Sequence, residues 1–216
     1  MSDLILHKGV LHSADQPPVK LSPLGRGRST RLFTTIGKRP QVFTFVGDDS
    51  HEFGQEILSS VGLESKHLPR VKKVGNTASE YVYKAPLYER LRVAHKTAWA
   101  QYRVLQACND EARLKVRRKL LDWQFVQSGG YEVMSKTIEC AERHKVVTLA
   151  MRHALERVRD TVADYGADWT FGFSPGVLGV DRRGNLVFVD ILYSPDVIMR
   201  ARHEANKRIA AKQGGR

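Results

Sequence analysis

Residues 1–86 are rich in short β-favouring runs, whereas from Tyr88 onward apolar side chains recur at helical spacing. That change of period is the feature that most constrains the fold. Strands first, then helices, then a short hairpin read as an α+β fold in two lobes. A small β-rich lobe is expected over residues 1–86 and a helical one over 87–216, with the junction at Ala85 to Tyr88 and Pro86 marking the exit from the last strand. At 216 residues the chain can bury a core of real size.

Within the first lobe, residues 32–35 and 41–46 are β-favouring runs joined by the turn-like Ile36-Gly37-Lys38-Arg39-Pro40, which reads as a hairpin. Asp49 and Glu52 have capping-box spacing, and Phe53, Ile57, Leu58 and Val61 follow on one face of a short helix that Gly62 can end. Strands are expected over 70–74 and 80–84, with Asn76 in the turn between them. The second lobe opens with a helical stretch to about Ser128, broken near Asn109-Asp110 and ended by Gly129-Gly130. Val147, Met151, Leu155, Val158, Val162 and Tyr165 then form one apolar stripe. Apolar runs at 177–180 and 186–189 flank the polar turn Asp181-Arg182-Arg183-Gly184-Asn185. Ser194-Pro195-Asp196 starts a last helix, expected over 195–213.

Thirty-five Lys and Arg against 23 Asp and Glu give a net charge of +12, which suits nucleic acid, an acidic protein surface or a nucleotide. Two stretches concentrate the cations. Arg113, Lys115, Arg117, Arg118 and Lys119 precede Trp123 and Phe125, a pattern for holding single strands or simply for anchoring a helix to the core. Arg200, Arg202, Lys207, Arg208, Lys212 and Arg216 stand against Glu204 on the last helix, as a contact for an acidic partner or as a solvated outer face. No apolar run approaches the roughly 18 residues of a membrane span, and the N-terminus does not read as a secretory signal. Cys108 and Cys140 are the sole cysteines, so neither a disulfide framework nor a cysteine metal site is expected. The eight histidines contain no His-x-x-x-His spacing. A reducing cytoplasmic compartment is the expected location.

Three places call for a chemical reading. Leu24-Gly25-Arg26-Gly27-Arg28-Ser29-Thr30 precedes a strand, and glycines at this spacing let a backbone approach phosphates, with Arg26 and Arg28 adding charge; it is also an ordinary turn. Phe173-Ser174-Pro175-Gly176-Val177 leads into the hairpin. Asp190 ends the apolar run 186–189, either beside a ligand or metal or as a turn former ahead of the last helix.

In this order and at these separations the three places resemble the protein-kinase fold. Phe171 to Asp190 is similar to a kinase catalytic loop running through a strand–turn–strand into the metal-binding Asp. The likeness extends to the early serine/threonine protein kinases of podoviral tailed phages. Gly25-x-Gly27, the strand 41–45, His67-Leu68-Pro69-Arg70-Val71 and the loop match in turn, over roughly residues 25–194. The resemblance implies ATP and Mg²⁺ as ligands, with Asp190 on the metal and Glu52 or Glu56 as the helix glutamate. Yet the catalytic base falls on Gly172, the second metal ligand on Val177, and the phosphate-holding Lys on Thr44 (or on Phe45 with the register shifted by one).

A positioned acid–base group is worth about 10²–10⁴ in rate, and phosphoryl transfer depends further on clamping by Lys and metal. A catalytically deficient, pseudokinase-type early phage protein is therefore expected, with no cofactor needed. It would act in host takeover by binding a host macromolecule of the transcription or defence machinery, the partner class being what the resemblance implies. Asp168 and Asp181 lie near enough in sequence to be weighed as substitute bases, and Asp181 is expected to face solvent at the hairpin tip. The alternatives are a divergent active serine/threonine kinase and a nucleic-acid binder using its basic surface. Only 26 residues follow Asp190, too few for a substrate-binding helical subdomain.

Overall fold

The computed structural model describes residues 3–26, 30–47, 49–61, 65–119, 122–165 and 169–193. The expected helix over 195–213, with Arg200, Arg202, Lys207 and Arg208, lies outside them, as do Gly27, Arg28 and Asp168. The architecture is mixed α+β: a seven-stranded antiparallel sheet, then helices with three short strand pairs packed among them.

The sheet is built from β1 (Leu4–His7), β2 (Val10–Ser13), β3 (Gln16–Arg26), β4 (Thr30–Thr35), β5 (Gln41–Val46), β6 (Lys72–Asn76) and β7 (Tyr81–Pro86), in the order β1-β2-β3-β4-β5-β7-β6. Helix α1 (Asp49–Val61) connects β5 to β6. A bridge between Asp3 and Asn76 brings the two edge strands together, so the sheet wraps round a core of its own. Period-2 alternation divides that core from the rest. Phe43, Phe45 and Val82 point inward to join Leu4, Leu11 and Leu21, whereas Val46 and Tyr83 point outward into the larger core shared with the helices.

Helix α2 (Lys96–Arg117) follows β8 (Glu89–Arg90). It does not break at Asn109-Asp110. Asn109 is buried, donates to the Phe171 carbonyl at 3.3 Å and accepts from the Thr137 hydroxyl at 3.2 Å, so a residue that favours turns in isolation is held in helix by tertiary partners. Nor does α3 (Asp122–Glu142) stop at Gly129-Gly130, both of which are buried inside it. A helical glycine costs about 1 kcal/mol, and burial of Val133, Met134, Ile138 and Ala141 outweighs it.

Helix α4 (Leu149–Asp164) starts where Thr148 caps the Met151 amide. Its Met151, Leu155, Val158 and Val162 are buried as the stripe requires, whereas Tyr165 lies beyond the helix, half exposed, with its ring edge-on to Phe53. Then β9 (Thr170–Phe171), β10 (Gly179–Val180), β11 (Leu186–Val187) and β12 (Leu192–Tyr193) form short antiparallel pairs: β9 with β12, and β10 with both β11 and β8. No helix among the described residues is long and apolar enough to cross a membrane.

Candidate functional site

A cleft of about 600 Å³ separates the outer face of the sheet from the helical half, a size suited to a small molecule. Its roof is β-sheet. Alternation that turns Phe43 and Phe45 inward turns Val42 and Thr44 toward the cleft, where Leu32 of β4 joins them. Its floor is the segment 176–179 with Val189 and Asp190, and its back is the connection through Pro86, Leu87 and Tyr88. Leu24 and Leu87, 48% and 41% exposed, leave apolar surface at the cleft wall.

Two backbone bonds lace the floor. The Asp190 amide donates to the Val177 carbonyl at 3.0 Å, and the Gly172 amide donates to the Ile191 carbonyl at 2.7 Å. Gly172, Val177 and Asp190 thus lie on adjacent tied segments, with Asp190 on the cleft wall. Val177 packs its side chain against the large core. At Gly172 a Cβ would stand 2.7 Å from the ring of Tyr193, so the space a side chain there would need is filled by aromatic carbon. The guanidinium of Arg113 lies over that ring, 4.8 Å from its centroid, and donates to the Phe171 carbonyl. Arg113 is thereby taken out of the basic surface, while Arg117 and Arg118 remain exposed.

Among the described α1 side chains, Gln55 lies on the cleft wall. Glu56 is exposed, and nothing is described of the Glu52 side chain. Among the described wall residues, the sheet presents the hydroxyls of Thr30 and Thr44 and α1 the amide of Gln55. Charged residues on the described wall are Glu89, Arg90 and Asp190. Gly25 belongs to strand β3 and pairs with Leu32, next to a register shift between Pro23 and Gly25. Pro86 has no N–H, and the Leu87 N–H already donates to the Pro40 carbonyl at 3.1 Å. A heterocycle lying along this connection meets few free donors.

Asp181 is an anchor for its own turn. Its carboxylate accepts from the amides of Arg183 and Asn185 and from the Asn185 side chain, at 2.8–2.9 Å. Burial works against its ionisation, but these bonds from Asn185 and Arg183 outweigh it and hold the carboxyl below its ordinary value.

His67 joins the two halves of the molecule. Its carbonyl accepts from the Phe188 amide at 2.8 Å, and its Nδ1 lies 2.8 Å from the Leu186 carbonyl. Burial lowers its pKa, partly offset by that Leu186 contact, so the ring stays neutral and Nδ1 carries the donated hydrogen.

A second cluster lies between α2 and α3. Cys108 and Cys140 are both buried, and the ligand atoms of Cys108, Cys140 and His144 lie within 4.8 Å of one another. Burial, together with the hydrogen bond to Cys140, pushes the Cys108 thiol up to about 12. The expectation of no cysteine metal site rested on there being only two cysteines, which stand 32 positions apart. The available signals were Cys108-x-x-Glu111, which places two donors on one face of α2, and His144 four positions after Cys140, just past the end of α3. No family model and no curated protein sequence matches the chain significantly.

Proposed function

We propose that this chain is a kinase-like scaffold that has lost phosphotransfer and works by binding. The order β3-β4-β5-β7-β6 with α1 inserted after β5, the cleft behind it and an acid at the end of the β10–β11 hairpin support the likeness to kinases. One observation carries the deficiency: among the described wall residues Thr44 faces the cleft from the sheet and Gln55 from the helix, where a phosphate clamp needs a lysine and its glutamate partner. The covered Gly172 removes the base as well. Asp190 alone leaves water to supply nearly all of a Mg²⁺ shell.

The partner is a host macromolecule, a protein of the transcription or defence machinery by the phage resemblance, met in the cytoplasm. The exposed Arg117 and Arg118 and the cations at 200, 202, 207 and 208 are its candidate contacts. Thermal unfolding with and without millimolar ATP and Mg²⁺ tests the deficiency, and no rise in Tm is expected. Affinity capture from host lysate with nuclease treatment tests the partner class, and a specific nuclease-resistant complex is expected. Phosphate transfer to the chain itself or to lysate proteins, lost in Asp190→Ala, would overturn the reading in favour of a divergent active kinase.

A further inference from the structure

We infer that Cys108, Glu111, Cys140 and His144 form a site for a zinc-class divalent cation that ties α2 to α3. Helix α2 supplies Cys108 and Glu111 at i, i+3, a spacing that shares one face, while α3 supplies Cys140 and the turn just beyond its end supplies His144. The pairs face each other. The two thiols are in hydrogen-bond contact, the Cys140 thiol donates to Glu111 Oε2 at 3.7 Å, and the thiols and the imidazole sit within 4.8 Å of one another.

Around a tetrahedral zinc ion, with bonds of about 2.3 Å to sulfur and 2.0–2.1 Å to nitrogen, ligand atoms stand roughly 3.4–3.8 Å apart. Contraction by about 1 Å brings the two thiols and the imidazole to such spacings, and Glu111, already 3.7 Å from the Cys140 sulfur, is the nearest carboxylate to complete the shell. A helix pair packed through Ala112, Val116 and Val133 one turn away already fixes the approach. His144 is exposed in the turn that leaves α3, and a cavity of about 170 Å³ lined by Glu111, Glu139, Lys115, Lys136 and Arg143 opens beside Cys140, so the cluster lies next to open space.

Donor chemistry selects the ion. Two sulfurs and an imidazole suit zinc and its soft neighbours and reject Mg²⁺ and Ca²⁺. Binding displaces the thiol protons, and the resulting two thiolates with the Glu111 carboxylate exceed the ion's charge by one. Arg143 and Lys115, both paired with Glu111, stand ready to neutralise that excess. A simple redox pair would account for the two sulfurs but not for the imidazole and carboxylate gathered around them.

The full chain, kept reduced, is titrated with Co²⁺ as an optical stand-in for zinc. One equivalent should produce thiolate-to-cobalt charge-transfer and tetrahedral ligand-field absorption, Zn²⁺ should displace it, and Tm should rise with free Zn²⁺. His144→Ala changes an exposed residue, so it should keep the fold by circular dichroism while weakening affinity at least about tenfold. Cys140→Ser should strip most of the charge-transfer intensity, and Glu111→Gln should cost about 10–100-fold. Absence of a stoichiometric cobalt band in the reduced chain overturns the inference, as does affinity unchanged in both His144→Ala and Cys140→Ser. So does a Cys108–Cys140 disulfide formed in air whose reduction leaves no affinity for cobalt, because that identifies a redox pair.

Discussion

The cleft and the α2–α3 cluster divide two properties that binding sites usually combine. The cleft holds about 600 Å³ but presents three hydroxyls, one amide and three charged side chains among mainly apolar walls; the cavity of about 170 Å³ beside Cys140 is lined by two carboxylates and three cations and lies against the cluster of two thiols and an imidazole. Volume follows from architecture: a sheet wrapped round its own core meets the helical layer closely where Val46 and Tyr83 enter the shared core, and a gap remains beside that contact. Chemical power follows from side chains, which can be lost while the gap persists. Cleft ligands must therefore be held by contact and exclusion of water, and a cation between the helices by charge and coordination.

The largest expected effect tests whether the cleft floor is rigid enough to keep its shape without a ligand. A Cβ at Gly179 would stand 2.6 Å from Tyr88 Cβ and 3.0 Å from Val189 Cγ2. Tyr88 Cβ is fixed to backbone and cannot rotate away, so Gly179→Ala should destabilise the chain by about 3 kcal/mol in denaturant titration. A change below about 0.5 kcal/mol would show a floor soft enough to remodel.

Next in size is the tie between the halves. His67→Ala removes the ring's bond to the Leu186 carbonyl and leaves a buried gap, for a loss of about 2 kcal/mol at pH 8. The pH dependence has a definite sign. Burial lowers the folded pKa of His67 below the unfolded value near 6.5, so the unfolded chain binds the extra proton first as pH falls. Stability from the neutral ring is complete above about pH 6.5 and erodes on acidification until the folded pKa is passed. His67→Ala should flatten that part of the wild-type stability profile, and an unchanged slope would assign it to other groups.

Much of the cleft was legible in the sequence because its determinants are local. An apolar run ended by an acid marks Asp190, and strict alternation around Phe43 and Phe45 sets Thr44 on the opposite face. Other features depend on partners far along the chain. Strand β3 carries Pro17, Pro18 and Pro23, which argue against a strand paired on both sides, yet it lies between β2 and β4 with register shifts near both ends. Asn109 reads as a breaker until Phe171 and Thr137 are brought to it. Gln55 was hidden by its neighbours Glu52 and Glu56, since a glutamate partner is what the kinase resemblance leads one to seek.

Restoring charge should sharpen the contrast by a measurable step. In Thr44→Lys with Gln55→Glu, a cation and its carboxylate partner would replace the uncharged pair across the cleft, and ATP·Mg²⁺ affinity should rise about tenfold, or about 1.4 kcal/mol, by calorimetry. Adding Gly172→Asp should bring no turnover, because the Tyr193 ring occupies the space its side chain requires. Turnover in the triple variant would mean that Tyr193 moves aside and that the base position is only covered.

The smallest effect concerns Asp181, which the sequence offers as a substitute base. Its carboxylate is committed to the amides of Arg183 and Asn185, and bonds of this kind in a partly exposed turn are worth about 1 kcal/mol together after solvent screening. Asp181→Ala should lower stability by that amount at pH 7 and leave any binding in the cleft unchanged. Because the folded carboxyl titrates below its unfolded value near 3.8, its contribution is present above about pH 4 and disappears as pH falls through the folded pKa. Wild type and variant should therefore converge in stability at the acid end. Loss of cleft binding without loss of stability would instead move Asp181 from the hairpin's internal bonding to the cleft's chemistry, and would add a fourth charged group to Glu89, Arg90 and Asp190 on its wall.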